Sequence, residues 1–207
     1  MQVRDFSFNE ELSHSVISQT CLAYLLQFKT FKSLDVDLYT FFPLANYAAQ
    51  NWIRHARYIG KQRSQSTAVF MLMMKLLTDE NTTFLNWVRL CDIDDYDIRD
   101  LQKQRVKIAK PLYYASMAGL AEAACALLEM GVEINAQGGR YGNALQAALY
   151  GGHEAIAKLL IENGADGNAQ GGYYGNALYA ASHRNHEAIA KLLIEKGADV
   201  PGIGRNV

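Results

Sequence analysis

Apolar residues in the C-terminal half of the chain follow a pattern that returns every 33 residues. The segment Asn143–Asp166 recurs almost unchanged as Asn176–Asp199, with 18 of 24 positions identical. Within each copy, small and apolar residues lie twice at the three- and four-residue spacing of a helix face. A third, more diverged copy precedes them as Pro111–Gln137. A fixed period of this size predicts a solenoid, in which each helix pair buries its apolar face only against its neighbours.

Each copy also carries residues that begin and end helices. Asn143 and Asn176 precede the inner helix, where an amide oxygen can accept from free N–H groups of the first turn. Pro111 takes the next position in the first copy, where proline loses no hydrogen bond. Glycines that can end the outer helices keep a constant spacing, at positions 131, 164 and 197. We therefore predict three units of helix, turn, helix and extended loop, over 110–142, 143–175 and 176–207.

The first 91 residues predict a small helical domain, so the fold class is all-α. Apolar residues recur at helical spacing from Leu12 to Leu26, from Leu44 to Ile59, from Ala68 to Leu77 and after Asn81. Ala68–Leu77 is apolar nearly all round and should form the most buried of these helices. Residues 92–109 are rich first in aspartate and then in lysine and arginine. This predicts a charged connector, either a solvated linker or a charged helix that packs on the first repeat.

Several positions of the 33-residue unit match a known repeat pattern. They are Leu145, Ala148, Gly152-His153, Leu159-Leu160 and Gly164-Ala165-Asp166, with GNALQAA, GNALYAA and KPLYYAS in place of a TPLHxA start. From Lys110 to about Val200 the chain thus resembles the ankyrin repeat. The resemblance implies a stack of helix pairs with β-hairpin loops on one side. It also implies a concave face built from hairpin tips and inner helices.

Longer stretches carry a second, narrower resemblance. The loop NAQGGxYGNAL occurs at 135–145 and 168–178, and the N-terminal half contains HSVI at 14–17, CLAYL at 21–25 and YAAQNWIRHA at 47–56. Together these are similar to the helical segment and repeats of fungal NACHT-type (NOD-like) receptors, which implies ligand sensing by the repeats and switching by an NTPase. No G-x-x-x-x-G-K-[ST] phosphate loop occurs in this chain. We therefore expect it to be the back half of such a protein, or a stand-alone remnant.

Composition excludes several classes of function. The formal net charge of −1 provides no overall field that would attract nucleic acid or a membrane surface. Three separated cysteines without C-x-x-C spacing suit a reducing compartment. The first residues lack the apolar core of a signal peptide, and the longest apolar run is far shorter than the ~20 residues of a membrane span. We expect a cytoplasmic protein.

Candidate catalytic and metal-binding groups have simpler interpretations. The aspartates that begin at Asp92 lack the central glycine and the final glutamate of a calcium loop. His153 and His186 occupy the turn before an outer helix, where imidazole can hydrogen-bond the backbone. Cys21 and His14 lie in one apolar helix pattern, which favours a core cysteine over a nucleophile. We expect no catalytic residues, no metal and no cofactor.

Differences between the second and third copies indicate a binding surface. Five of the six lie on the inner helix and the turn after it, whereas the outer helix differs only at Asn163/Lys196. Neutral drift at solvated positions is the alternative to selection for binding. Because tyrosine and arginine are common interface anchors, we predict non-covalent binding of another protein. The predicted anchors are the hairpin-tip residues Arg140, Tyr141, Tyr173 and Tyr174, and specificity is assigned to Tyr150, His183 and Arg184. The alternative function is the regulatory half of a signalling NTPase.

The last repeat lacks a polar end cap in sequence. Ile189, Leu192 and Leu193 repeat the internal apolar pattern, although a terminal repeat needs a polar outer face. We expect this apolar face to be exposed, covered by the tail, or paired with another chain, so self-association is possible.

Overall fold

The computed structural model describes residues 9–30, 34, 38–59, 67–94, 101, 103–104 and 108–200. These residues form eleven α-helices and one short 3-10 helix, and they contain no β-strand. This confirms the all-α repeat architecture. The predicted β-hairpins are loops instead, because in the described ranges only one isolated antiparallel bridge occurs, between Gly171 and Gly175. Glycines with positive φ form a tight turn in each loop. One backbone hydrogen bond closes each turn, from the Gly138 N–H to the Gly142 carbonyl and from the Gly171 N–H to the Gly175 carbonyl, both at 2.8 Å.

Among the described residues, five α-helices precede the repeats. They are α1 (Glu10–Leu25), α2 (Leu38–Phe41), α3 (Ala45–Ile59), α4 (Thr67–Thr78) and α5 (Thr83–Leu90), with the 3-10 helix Leu26–Thr30 after α1. The rings of Trp52 on α3 and Trp87 on α5 pack edge to face, with centroids 5.3 Å apart. The Trp87 Nε1–H donates to the carbonyl of Ala49 at 3.2 Å. The two indoles thus hold α3 and α5 together in the core.

The helix expected to be most buried is not. On α4 the residues Val69, Met73, Leu76 and Leu77 are buried, but Met71 is largely exposed. All residues of α5 except Arg89 are buried or nearly so. The prediction for Ala68–Leu77 was wrong because methionine on the solvent side of a helix looks the same in sequence as methionine in a core.

The acidic start of the connector is buried. Asp92 and Asp94 are both buried, and the Lys103 ammonium pairs with the Asp92 carboxylate. Of the two alternatives for the connector, the burial of Asp92 and Asp94 argues against a solvated linker at these residues. Just before them, Trp87 contacts Tyr114 of the first repeat, with ring centroids 5.8 Å apart. One continuous apolar core thus runs from the N-terminal helices into the repeats.

Six helices form the repeats in pairs of inner and outer helix. They are α6 (Pro111–Met117) with α7 (Ala121–Glu129), α8 (Ala144–Tyr150) with α9 (Glu154–Glu162), and α10 (Ala177–His183) with α11 (Glu187–Glu195). The predicted caps are confirmed. Asn143 Oδ1 accepts from the Gln146 N–H at 2.9 Å, and Asn176 Oδ1 accepts from the Tyr179 N–H at 2.8 Å.

Histidine side chains connect each repeat to the one before it. His153 Nε2 donates to the Met117 carbonyl at 3.1 Å, and His186 Nε2 donates to the Leu149 carbonyl at 2.9 Å. A carbonyl oxygen can only accept, so both Nε2 atoms carry hydrogen. These contacts confirm the structural interpretation of both histidines. Burial, together with the charge of Arg57, lowers the pKa of His153.

Candidate protein-binding face

Two buried polar side chains, those of Tyr113 and Asp94, form hydrogen bonds with the loop before the second repeat. The Tyr113 hydroxyl donates to Asp94 Oδ1 at 2.5 Å and accepts from the Tyr141 N–H at 3.1 Å. Asp94 Oδ2 accepts from the Arg140 N–H at 3.0 Å. Gly139 has φ +71°, and a Cβ atom there would lie 2.3 Å from the Tyr113 ring. The backbone that carries Arg140 and Tyr141 is therefore fixed before any partner arrives.

The loop before the third repeat rests on the loop before the second. The Tyr173 N–H donates to the Arg140 carbonyl at 2.9 Å. The Gln146 side chain, three residues after its cap as Tyr113 is after Lys110, donates to the Gly171 carbonyl at 3.2 Å. Gly172 lies so close to Tyr141 that a Cβ atom would be 2.1 Å from the Tyr141 carbonyl carbon. The backbones of the two loops can approach this closely because Gly172 has no side chain.

Tyr141 and Tyr174, expected as exposed hairpin-tip anchors, are buried. Their exposed fractions are only 4% and 7%, so neither can be a principal contact for a partner. Tyr141 stacks on Tyr150 with ring centroids 3.9 Å apart and planes 18° apart, and it lies 6.0 Å from Tyr174. Burial raises the pKa of both Tyr141 and Tyr174. Their buried rings form a floor, that is, a layer on which the exposed residues of this surface pack.

The exposed residues lie over this floor. The Arg140 guanidinium is 5.7 Å from the centre of the Tyr173 ring, and Tyr173 is 65% exposed. The Arg184 guanidinium is 5.2 Å from the centre of the half-buried Tyr150 ring. The exposed His183 ring lies 5.3 Å from that of Tyr174. All seven residues named from the sequence thus belong to one connected set of ring and cation–π contacts.

One member of this set was not among those seven. Tyr179, on α10, is 55% exposed and lies 6.2 Å from Tyr174 and 6.1 Å from His183 between ring centres. Its signal was the Gln146/Tyr179 difference between the copies. We call the combined surface the tyrosine–arginine face, which consists of Arg140, Tyr141, Tyr150, Tyr173, Tyr174, Tyr179, His183 and Arg184.

Not every difference between the copies belongs to this face. Gln146 and Leu149 are fully buried, whereas the matching Tyr179 and Ser182 are exposed. The third repeat covers the first pair, and no described residue covers the second in the same way. The differences at these two positions therefore reflect whether a repeat has a neighbour stacked on it.

Of the residues named for the end of the stack, Ile189 and Leu193 are buried. The tail, one of the three expected ways of covering this face, lies at residues 201–207, outside the described residues. The exposed apolar residues at this end are Tyr179 and Ile194, and Ile194 is 48% exposed although its counterpart Ile161 is buried. Ser182 in place of Leu149 makes part of this end polar.

In the described part of the chain, no three His, Cys, Asp or Glu side chains lie together in a way that could hold a metal ion. None of the helices described combines the length and the hydropathy needed to cross a bilayer.

A family model matches the repeated part of the chain. Residues 112–201 match the family model for ankyrin repeats, in three copies. This segment consists of ankyrin repeats. Ankyrin repeats generally mediate protein–protein interactions and are typically non-catalytic. A solved ankyrin repeat domain from Acinetobacter baumannii AYE is 19% identical and has a TM-score of 0.46, over 92% of this chain and 100% of that one.

A longer relative matches beyond the ankyrin repeats. The azaphilone pigments biosynthesis cluster protein L of Monascus ruber is 36% identical over an alignment of 165 positions, and the match covers 74% of this chain and 34% of that protein. The chain spans about a third of the length of this relative. The matched length exceeds that of the ankyrin repeats, so the similarity includes part of the N-terminal helices.

Proposed function

We propose that the chain is a non-catalytic, cytoplasmic protein-binding module whose contact surface is the tyrosine–arginine face. The observation that carries the proposal is the exposure of Tyr173 and Tyr179 beside Arg140 and Arg184. Isolated exposed tyrosines are ordinary on a protein surface. Here the exposed rings and guanidinium groups are joined through buried rings into one surface, and tyrosine and arginine are enriched among interface hot spots.

Preorganisation supports the same proposal. Binding loses free energy when side chains and loops must be ordered at the interface. The loop that carries Arg140 is already fixed by Asp94 and Tyr113, and Tyr173 is fixed to it by a backbone hydrogen bond. Tyrosine also has few rotatable bonds for its contact area. The face therefore loses little conformational entropy when a partner binds.

Affinity capture with matched variants tests this function. The wild-type chain, Tyr173→Ala combined with Tyr179→Ala, and a control of Met71→Ala combined with Met130→Ala would be used as baits. The control removes two methionines of similar exposure from other surfaces. We expect the partners retained by wild type and control to be lost from the tyrosine variant, with all three baits equally folded by circular dichroism. A partner set recovered equally by all three baits would remove this face from the proposal.

The finer proposal is that the chain is the sensor half of a NACHT-type signalling NTPase. It is supported by the similarity of the N-terminal stretches and the NAQGGxYGNAL loops to those receptors. Sequencing the full-length transcript separates it from a stand-alone binding module. A phosphate-loop sequence upstream in the same reading frame supports the NTPase, and a reading frame without one contradicts it.

A further inference from the structure

Carboxylates in the second and third ankyrin repeats are confined to one surface. Every carboxylate from 143 to 199 lies on an outer helix or in the turn after it: Glu154, Glu162, Asp166, Glu187, Glu195 and Asp199. The segments 134–153 and 167–186 contain no aspartate or glutamate. These two segments supply all members of the tyrosine–arginine face. The net charge of the chain hides this local asymmetry.

The two arginines of the face form no ion pair with a carboxylate in the part of the chain that the structure describes. Among the described residues, the lysines of three ion pairs contact Asp92, Glu80 and Glu162. Arg140 and Arg184 are in none of the ion pairs of these residues, and each guanidinium lies over a tyrosine ring instead. The Asp94 carboxylate contacts the backbone N–H of Arg140, and its lone pairs are directed to that N–H and to Tyr113. Within the described residues, neither guanidinium group therefore pairs with a carboxylate.

Stacking on a ring prepares a guanidinium for a carboxylate. A cation–π contact uses the face of the guanidinium plane and leaves its edge N–H donors available. Those edge donors match the two oxygens of a carboxylate in a bidentate pair. Tyr173 and Tyr150 restrict where the two guanidinium groups lie, which reduces the side-chain entropy lost on pairing.

From these observations we infer that the partner presents an acidic segment to this face, with aspartate or glutamate side chains that pair with Arg140 and Arg184. The inference rests on the proposed function and adds the chemistry of the ligand to it. Exposed Tyr173 and Tyr179 would cover apolar parts of the same segment. Electrostatic complementarity of this kind determines specificity and association rate.

Selection from a displayed random dodecapeptide library tests the inference. The baits are the wild-type chain, Arg140→Glu combined with Arg184→Glu, and a control of Lys158→Glu combined with Lys191→Glu, which makes the same charge change on exposed outer-helix residues. We expect wild type and control to select peptides enriched in aspartate and glutamate. Chemically synthesised selected peptides should bind the arginine variant at least about tenfold more weakly, measured by fluorescence anisotropy. Because both arginines are exposed, all baits should show the same thermal unfolding.

The outcomes separate this inference from the proposed function. Peptides without acidic enrichment that still require Tyr173 and Tyr179 would overturn the acidic ligand and leave the protein-binding function standing. Acidic peptides that bind the arginine variant as well as wild type would also overturn the inference. If wild type selects no peptide that depends on any residue of the face, both proposals fail.

Discussion

The Tyr113 hydroxyl donates to the Asp94 carboxylate at 2.5 Å, and both side chains are buried. Asp94 follows the N-terminal helices, Tyr113 lies on the first helix of the ankyrin repeats, and the same two groups hold the backbone of Arg140 and Tyr141. Burial raises the pKa of Asp94 in opposition to the hydrogen bond from Tyr113. This pair therefore joins the connector, the first repeat and the candidate face.

Replacing Tyr113 with phenylalanine should weaken the contacts that join the connector, the first repeat and the candidate face. The change removes the donor to Asp94 and the acceptor for the Tyr141 N–H, so buried groups lose their partners. We expect the free energy of unfolding to fall by about 1–3 kcal/mol in urea titration. Tyr173→Phe, at an exposed ring, is the control and should change stability little. Equal stability of both variants would contradict the role assigned to Tyr113.

The helix caps should contribute measurably to stability. Asn143→Ala and Asn176→Ala each remove the acceptor for one N–H of an inner helix. We expect each to lower the free energy of unfolding by about 0.5–2 kcal/mol, with the larger effect at Asn143 because that side chain is buried. Asn163→Lys, which copies the residue of the third repeat, is the control. If the control were as destabilising as the cap variants, the loss could not be assigned to capping.

The helix caps could be predicted from the sequence, whereas the burial of Asp94 could not. Caps and periods are local, so Asn143 and Asn176 were readable from their position before Ala-Leu. The burial of Asp94 depends on Tyr113 and Arg140, 19 and 46 residues away, and no local pattern reports such contacts.

The burial of Tyr141 and Tyr174 is likewise a nonlocal property. Both lie in turns next to the exposed residues 140 and 173. Tyr141 is buried through its contacts with the rings of Tyr150, on an inner helix, and Tyr174, in the next loop.

A side chain at Gly172, in the loop before the third repeat, should destabilise the fold. Its φ is +65°, and a Cβ atom would overlap the backbone of Tyr141. Gly164 also has a positive φ, +90°, but a Cβ atom there would meet nothing within 4 Å. Both alanine variants share the left-handed strain, so the difference between them isolates the clash. We expect Gly172→Ala to have the lower melting temperature by differential scanning calorimetry, and equal values would show that the loops can separate without cost.

Acid should destabilise the chain through His55. His14 Nδ1 and His55 Nδ1 are 2.6 Å apart, so a hydrogen bond between them requires one of the two to be unprotonated there. Burial, and then the nearby His14 charge, lowers the pKa of His55 below its ordinary 6.5. A lowered pKa means that the unfolded state binds the proton more readily. Stability is therefore retained above about pH 6.5 and lost as the pH falls through the lower folded-state pKa.

Urea titrations between pH 7.5 and about pH 5 would measure this dependence. We expect His55→Gln to flatten it, even if the variant is less stable at every pH. His183→Gln, at an exposed histidine, should leave the slope unchanged. An unchanged slope in His55→Gln would assign the acid sensitivity to other groups, of which His153 is the first candidate because burial lowers its pKa too.

The exposed Ile194 of the third repeat should support self-association. Ile194 is 48% exposed where its counterpart Ile161 is buried, so a second chain that covered it would bury apolar surface of the same kind. We expect the wild-type sedimentation coefficient to rise with protein concentration, and Ile194→Glu to abolish the rise. Met130→Glu changes an exposed apolar residue elsewhere and should preserve it. A wild-type chain that stays monomeric over the whole concentration range would exclude pairing through this end, since Ile194 would then tolerate water as an isolated exposed side chain does.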